Sequence, residues 1–166
     1  MVIFHNSCTG DQISIFKSFF LDTLNKKLKE TFGSDKAPNL SLIMVNTKTS
    51  ERFFVNENNG VRNVQAGTIV AEDIVSEFFD FYLVSQGSNK GSTVPNHYKV
   101  VHSDSKIEEG LLHELIFSQC FNYVNWTGSI KIPGILQYAK KCAKFSAETL
   151  EGQSVKNDLD NKLYFV

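Results

Sequence analysis

The sequence lacks several features that would each indicate a particular class of protein. Lysine and arginine total 17 and aspartate and glutamate total 18, so the net charge of −1 gives no general attraction to nucleic acid. Any surface that binds nucleic acid must therefore be local. No run of about 18 apolar residues is present, so the sequence predicts no membrane span. We also expect no signal peptide, because the first residues lack a basic region followed by a long apolar run.

Cysteine is scarce as well, and its placement argues against a disulfide framework. The three residues Cys8, Cys120 and Cys142 form neither a CxxC pair nor an even-numbered set. We expect reduced, mostly buried thiols in an intracellular protein, either cytoplasmic or nuclear. The four histidines are scattered, with no pair at the i, i+3 or i+4 spacing that would place two ligands on one helix face. The sequence therefore predicts no metal site.

The rest of the composition is that of a globular domain. The 166 residues are 42% apolar and 21% charged, and the 14 phenylalanines lie mostly in periodic segments, as core residues do. Residues 1–4 predict a strand, apolar residues recur at helical spacing from residue 10 or 11 to Phe32, and residues 40–46 predict a strand buried on both faces. This order is typical of a βαβ unit with parallel strands.

The middle of the chain changes to short β-rich runs, which predict an antiparallel extension of the sheet. These runs are residues 51–55, 66–72, 80–86 and 97–103. Helical spacing returns in residues 107–123 and again in residues 134–150. The last four residues are apolar or aromatic, and we expect this end to be docked rather than free.

The most distinctive stretch is residues 129–145, which no acidic residue interrupts. Helical spacing predicts one apolar stripe made of Ile135, Tyr138, Ala139, Cys142 and Phe145. The other side carries Gln137, Lys140, Lys141 and Lys144, and Lys131 lies just upstream. A basic helix face is more often solvated surface than a ligand site, so the residues alone leave both readings open.

Several motifs in the same order resemble the Piwi domain of Argonaute and Piwi proteins. The run PGILQYAKK is similar to the Pro-Ala-x-x-x-Tyr-Ala-His-Lys pattern of that domain's last core helix. The runs VIFHNSCTGDQI and DFYLVSQGSNKGSTVPNHYKVV resemble its V-I-Y-R-D strand and its D-F-[FY]-[IL]-x-S core, and NKLYFV resembles the ending of the Piwi branch. The resemblance implies an α/β fold: a partial RNase H-like Piwi domain with a mixed sheet and flanking helices.

The resemblance places residues 1–166 in the C-terminal part of a Piwi domain. The first RNase H strands, the MID domain and the PAZ domain have no counterpart in the sequence. We therefore expect a partner polypeptide that supplies the missing Piwi and MID half, or a larger protein assembly. An open sheet edge would otherwise remain, which favours aggregation.

The family's cleavage chemistry needs carboxylates that converge on two Mg²⁺ ions. The resemblance puts Asn6 at the position of a catalytic aspartate and Lys140 at that of a histidine ligand. An amide brings no charge, and a protonated lysine repels metal ions and cannot coordinate them. Asp11 lies near a helix start, where capping explains it more simply. We expect no nuclease activity, no catalytic residue and no bound metal.

RNA binding needs only cations and hydrogen-bond donors around phosphates. The resemblance implies guide-RNA contacts at Lys48, Arg52, Tyr123, Lys131, Lys140, Lys141 and Val166. Lys48 and Arg52 would lie on a hairpin that contacts the guide backbone, or would simply be an exposed tip. The carboxylate of Val166 would help to bind the guide 5′-phosphate, with Mg²⁺ only if another chain completes that site.

Three functions are therefore open. The first is a catalytically inactive Piwi-type module that binds small guide RNA in RNA silencing and needs a partner chain. The second is a structural or interaction subunit of a larger assembly without RNA function. The third is an enzyme that becomes active when its missing half is supplied, which Asn6 and Lys140 disfavour.

Overall fold

The computed structural model describes residues 1–6, 10–58, 60–75, 79–104, 107–150, 153, 157–159 and 162–166. Seven strands and three α-helices are described. The strands are β1 (Val2–Asn6), β2 (Ser41–Asn46), β3 (Phe54–Glu57), β4 (Gly60–Asn63), β5 (Thr68–Val70), β6 (Asp80–Val84) and β7 (Asn96–Ser103). The helices are α1 (Gly10–Phe32), α2 (Glu109–Gln119) and α3 (Gly134–Phe145), and a π-helical turn, Ser146–Leu150, continues α3. No helix in these ranges is long and apolar enough to cross a membrane.

Five strands form one mixed sheet in the order β1-β2-β7-β6-β5. β1 and β2 are parallel and are joined through α1, which confirms the predicted βαβ order. The β2–β7, β7–β6 and β6–β5 pairs are antiparallel, which confirms the predicted extension. Five of the six residues of β2 are buried, as expected for a central strand covered on both faces.

The two faces of the sheet are covered by different helices, because side chains alternate along each strand. On one face Ile43 and Val45 pack with Phe81, Tyr98 and the apolar residues of α2 and α3. On the other face Leu40 and Leu42 pack with α1 through the buried Leu21. The chain is therefore a helix–sheet–helix sandwich in which α1 lies opposite α2 and α3.

The run at residues 51–55 was expected to extend the main sheet, and this expectation is wrong. β3 and β4 instead pair with each other as a separate antiparallel hairpin. Most of their residues are exposed, so the two strands pair with each other without packing into the core of the main sheet. Phe54 and Val61 are among its exposed side chains.

The predicted apolar stripe of α3 is also partly wrong. Ile135 is 59% exposed and Ala139 is exposed, whereas Leu136 is 5% exposed and carries the helix onto the core. In α2 the buried residues are Leu112, His113 and Ile116, whereas Leu111 and Leu115 are exposed although they are apolar. Periodicity identified both helices, but it did not identify Leu136 of α3 and His113 of α2 as buried residues.

The C-terminal end is docked, as the sequence predicted, through Tyr164 and Phe165, which lie against α3. The Tyr164 ring lies 5.7 Å from that of Phe145, and the Phe165 ring lies 6.5 Å from that of Tyr138, centroid to centroid. Edge-on aromatic contacts of this kind stabilise by roughly 0.5–1.5 kcal/mol each.

Candidate nucleic-acid interface

A cleft of about 360 Å³ lies where α3 meets the loops that follow β2, β6 and α2. Its described lining consists of Thr47, Gln86, Tyr123, Ile130, Lys131, Ile132, Gln137 and Lys140. Three residues that the resemblance implied as RNA contacts, Tyr123, Lys131 and Lys140, are thus brought together. None of the described lining residues is acidic, so the charge in the cleft is positive.

Lys131 is held by its own backbone rather than by its side chain. Its carbonyl oxygen accepts a hydrogen bond from the Ser85 hydroxyl at 2.5 Å and another from the Asn96 side-chain amide. Ser85 and Asn96 are each 2% exposed and lie where β6 ends and β7 begins. The sheet therefore fixes the main chain at Lys131, and the residue remains exposed in the lining of the cleft.

Tyr123 is oriented by two contacts from α3. Its ring lies 5.3 Å from that of Tyr138, and the ammonium nitrogen of Lys141 lies 5.4 Å from its centroid. The hydroxyl of Tyr138 in turn accepts a hydrogen bond from the backbone N–H of Val124 at 2.9 Å. Lys141 is therefore placed next to the cleft through a cation–π contact, although it does not line it.

The start of α3 approaches the loop after α2 unusually closely. A Cβ atom placed on Gly134 would lie 2.1 Å from the carbonyl oxygen of Asn122, so the approach requires glycine here. The family pattern quoted above carries alanine at this position. The structure thus gives a physical reason for this departure, because glycine lets the helix approach the Tyr123 loop.

Lys140 differs from an ordinary surface lysine. It is half-buried, and this burial lowers the pKa of its ammonium group below 10.5, since desolvation penalises the charged form. Within the described ranges no carboxylate oxygen lies within 4.0 Å of it. Lys144, one turn further along, instead lies 3.8 Å from Glu148 and is 74% exposed.

The other implied contacts lie outside the cleft lining. Lys48 is exposed, and the guanidinium of Arg52 donates hydrogen bonds to the carbonyls of Thr49 and Glu51 at 2.9 and 2.6 Å. Val166 is 39% exposed, next to the docked Phe165. Sequence reasoning in turn did not identify Thr47 and Gln86 as cleft residues, because only the folded sheet brings their segments next to α3. Gln137 was predicted on the same side of the helix as Lys140, and it lines the cleft with it.

The residues present do not fit the metal pair of an RNase H-type site. Asn6 is the last residue of β1 and is exposed, and Lys140 is a cation. Among the described residues no group of three or more histidine, cysteine, aspartate or glutamate side chains could hold a metal ion. The side chains of Cys8 and Asp11 lie outside the described residues.

A sequence model of the Piwi domain family matches residues 2–151. The chain belongs to this family. Piwi-like protein 1 of Gallus gallus is 36% identical over 152 residues, which cover 89% of this chain and 16% of that protein. Protein piwi of Drosophila melanogaster is 29% identical over 170 residues, covering 100% of this chain and 20% of that protein. This Piwi-domain chain therefore spans a fifth or less of the length of these two relatives.

Solved structures of Piwi and Argonaute proteins also resemble this chain. The crystal structure of Drosophila Piwi superimposes with a TM-score of 0.81 at 27% identity, over 99% of this chain and 23% of that chain. Kluyveromyces polysporus Argonaute with a guide RNA gives a TM-score of 0.82 at 21% identity, again over 99% and 23%, and supports the fold alone. The mixed sheet with flanking helices is thus the RNase H-like fold of Argonaute and Piwi proteins.

Proposed function

We propose that this chain is a catalytically inactive Piwi-type module that binds small guide RNA and takes part in RNA silencing. The observation that carries the proposal is the cleft, in which Lys131, Lys140 and Tyr123 converge and no described lining residue is acidic. Cations and phenol donors suit phosphates. Family membership makes RNA the polyanion that such a cleft would meet.

The inactivity follows from the two catalytic positions that the chain contains. Asn6 offers no charge to a divalent cation, and Lys140 repels one. The proposal therefore predicts RNA retention without cleavage. The proposal also includes a second polypeptide that carries the rest of the domain. Among the described strands β1 pairs only with β2, so the other edge of β1 is open to a partner strand.

One observation favours a second candidate, a structural subunit without RNA function. The guanidinium of Arg52 is engaged by carbonyl oxygens of its own loop, so this side chain would have to be released before it could contact RNA. The open edge of β1 would then be the functional surface, paired with a partner strand.

The test is affinity purification of the tagged chain from its own cells, with mass spectrometry and RNA sequencing of the same eluate. The proposal expects small RNAs of uniform length with a bias at the 5′ nucleotide, together with a protein partner. Their loss in a Lys131→Glu/Lys140→Glu variant that keeps the partner would locate the contact in the cleft. A stoichiometric partner without small RNA would leave the structural subunit as the function.

A further inference from the structure

The Lys140 ammonium occupies an unfavourable environment in the chain by itself. It is half-buried, its charged form is penalised by desolvation, and no described carboxylate compensates it. A partly buried charge without a partner costs stability, although less than a fully buried one, and an apolar side chain of similar size would avoid that cost. The other polar side chains that line the cleft can donate hydrogen bonds but bring no negative charge; they are Thr47, Gln86, Tyr123, Lys131 and Gln137.

An anion would remove this imbalance. The oxygens of a phosphodiester would accept hydrogen bonds from the ammonium and from the Gln86 and Gln137 amides. A cleft of about 360 Å³ lies at the small end of ligand-site volumes and suits one phosphate with its sugar rather than a duplex. Tyr123, held in place by Tyr138 and Lys141, adds a phenolic donor and a ring face at one wall.

The lysine also stands where the family pattern has a histidine that holds a metal ion, and the metal site does not fit this chain. We propose that the cleft binds a phosphodiester of the nucleic acid directly through the Lys140 ammonium, and that this contact requires no divalent metal ion. The inference rests on the proposed function and names the ligand group and the mode of its recognition.

The experiment compares two lysines of the same helix. Lys140→Met keeps an unbranched side chain, one atom shorter, and removes its charge, and Lys144→Met is the matched control at an exposed position. Binding of a labelled single-stranded RNA to the purified protein, with its partner where one co-purifies, is measured in EDTA and in Mg²⁺ at equal ionic strength. Circular dichroism and thermal unfolding verify that each variant is folded.

The expected results follow from the loss of one charge-assisted contact. Lys140→Met lowers RNA affinity about tenfold or more, since a hydrogen bond to a charged group contributes about 1.5–3 kcal/mol. Lys144→Met changes affinity less than about twofold, as exposed ion pairs contribute little. The wild-type affinity is the same in EDTA and in Mg²⁺.

Proton uptake gives a readout that a structural role for Lys140 would not produce. A bound phosphate favours the charged ammonium. Binding therefore takes up protons at alkaline pH, where part of the free protein carries a neutral Lys140, and titration calorimetry in two buffers detects this uptake. Lys140→Met abolishes this uptake and Lys144→Met does not.

Equal affinities of the two methionine variants would overturn the inference, and so would a large loss of wild-type affinity in EDTA. If Lys131→Glu still weakened binding in either case, the proposed function would survive. An absence of RNA binding by the folded wild-type protein, with its partner, would overturn both.

Discussion

Reversing the charge of the cleft should change not only the affinity for RNA but its dependence on salt. The perturbation is the triple variant Lys131→Glu/Lys140→Glu/Lys141→Glu, which reverses two lysines that line the cleft and the one that lies on Tyr123. For single strands, each neutralised phosphate contributes about 0.7 to the slope of log affinity against log salt. The three lysines therefore contribute a slope of about 2. A fourfold rise in salt should lower the RNA affinity of the wild-type protein roughly 20-fold through the loss of their contribution.

The matched control reverses three exposed lysines of α1, in the variant Lys26→Glu/Lys27→Glu/Lys29→Glu. These lie on the helix that covers the opposite face of the sheet, and the change in net charge is identical. The assay is fluorescence anisotropy of a labelled single-stranded RNA over a series of salt concentrations. We expect the cleft variant to lose a slope of about 2 and the control to keep the wild-type slope. Equal losses in both variants would refute the reasoning, because binding would then follow total charge rather than the cleft.

The remaining predictions concern stability, the support of the cleft, and chemistry. Burial lowers the pKa of His113 below 6.5 because the fold favours the neutral imidazole. The stability that this provides is present above pH 6.5 and is lost as the pH falls through the folded-state pKa. Urea unfolding from pH about 7.5 to 5 should show this loss of stability, and His113→Phe should make the loss smaller. Gly67 has φ +94°, so Gly67→Ala should destabilise by about 1–3 kcal/mol while Gly87→Ala in open space changes little, as thermal unfolding would show. Asn96→Ala removes one hydrogen-bond donor to the Lys131 carbonyl and should lower the free energy of unfolding by about 1–3 kcal/mol. The RNA affinity should fall as well, because Lys131 is then less firmly positioned. An unchanged RNA affinity would show that this hydrogen bond does not support RNA binding. Finally, the protein with its partner should not cleave a paired RNA in Mg²⁺, and Mg²⁺-dependent cleavage in a gel assay would contradict the assignment of Asn6.

The five main-sheet strands and the three helices could be predicted in their order along the chain because each depends on local periodicity, whereas the β3–β4 hairpin could not. The sector of α3 that faces the core could not, since Ile135 is exposed and Leu136 is buried for reasons of packing that a single helix does not contain. The candidate site likewise has a part that the sequence predicts and a part that only the fold creates. Lys131 was identified by resemblance, but its anchoring by buried side chains and the contribution of Thr47 and Gln86 to the cleft depend on contacts between distant segments.

The position of β2 in the middle of the sheet has a consequence for synthesis on the ribosome. Its partner on one side, β1, precedes it, but Val45 pairs on the other side with Tyr98, far later in the chain. At about 5–20 residues per second, the roughly 50 residues between them take about 3–10 s to emerge. For that time an apolar strand, SLIMVN, has one edge unpaired and its α2–α3 face uncovered. We therefore expect the nascent chain to need protection by chaperones that hold exposed strands, and slower elongation to lengthen its exposure to aggregation.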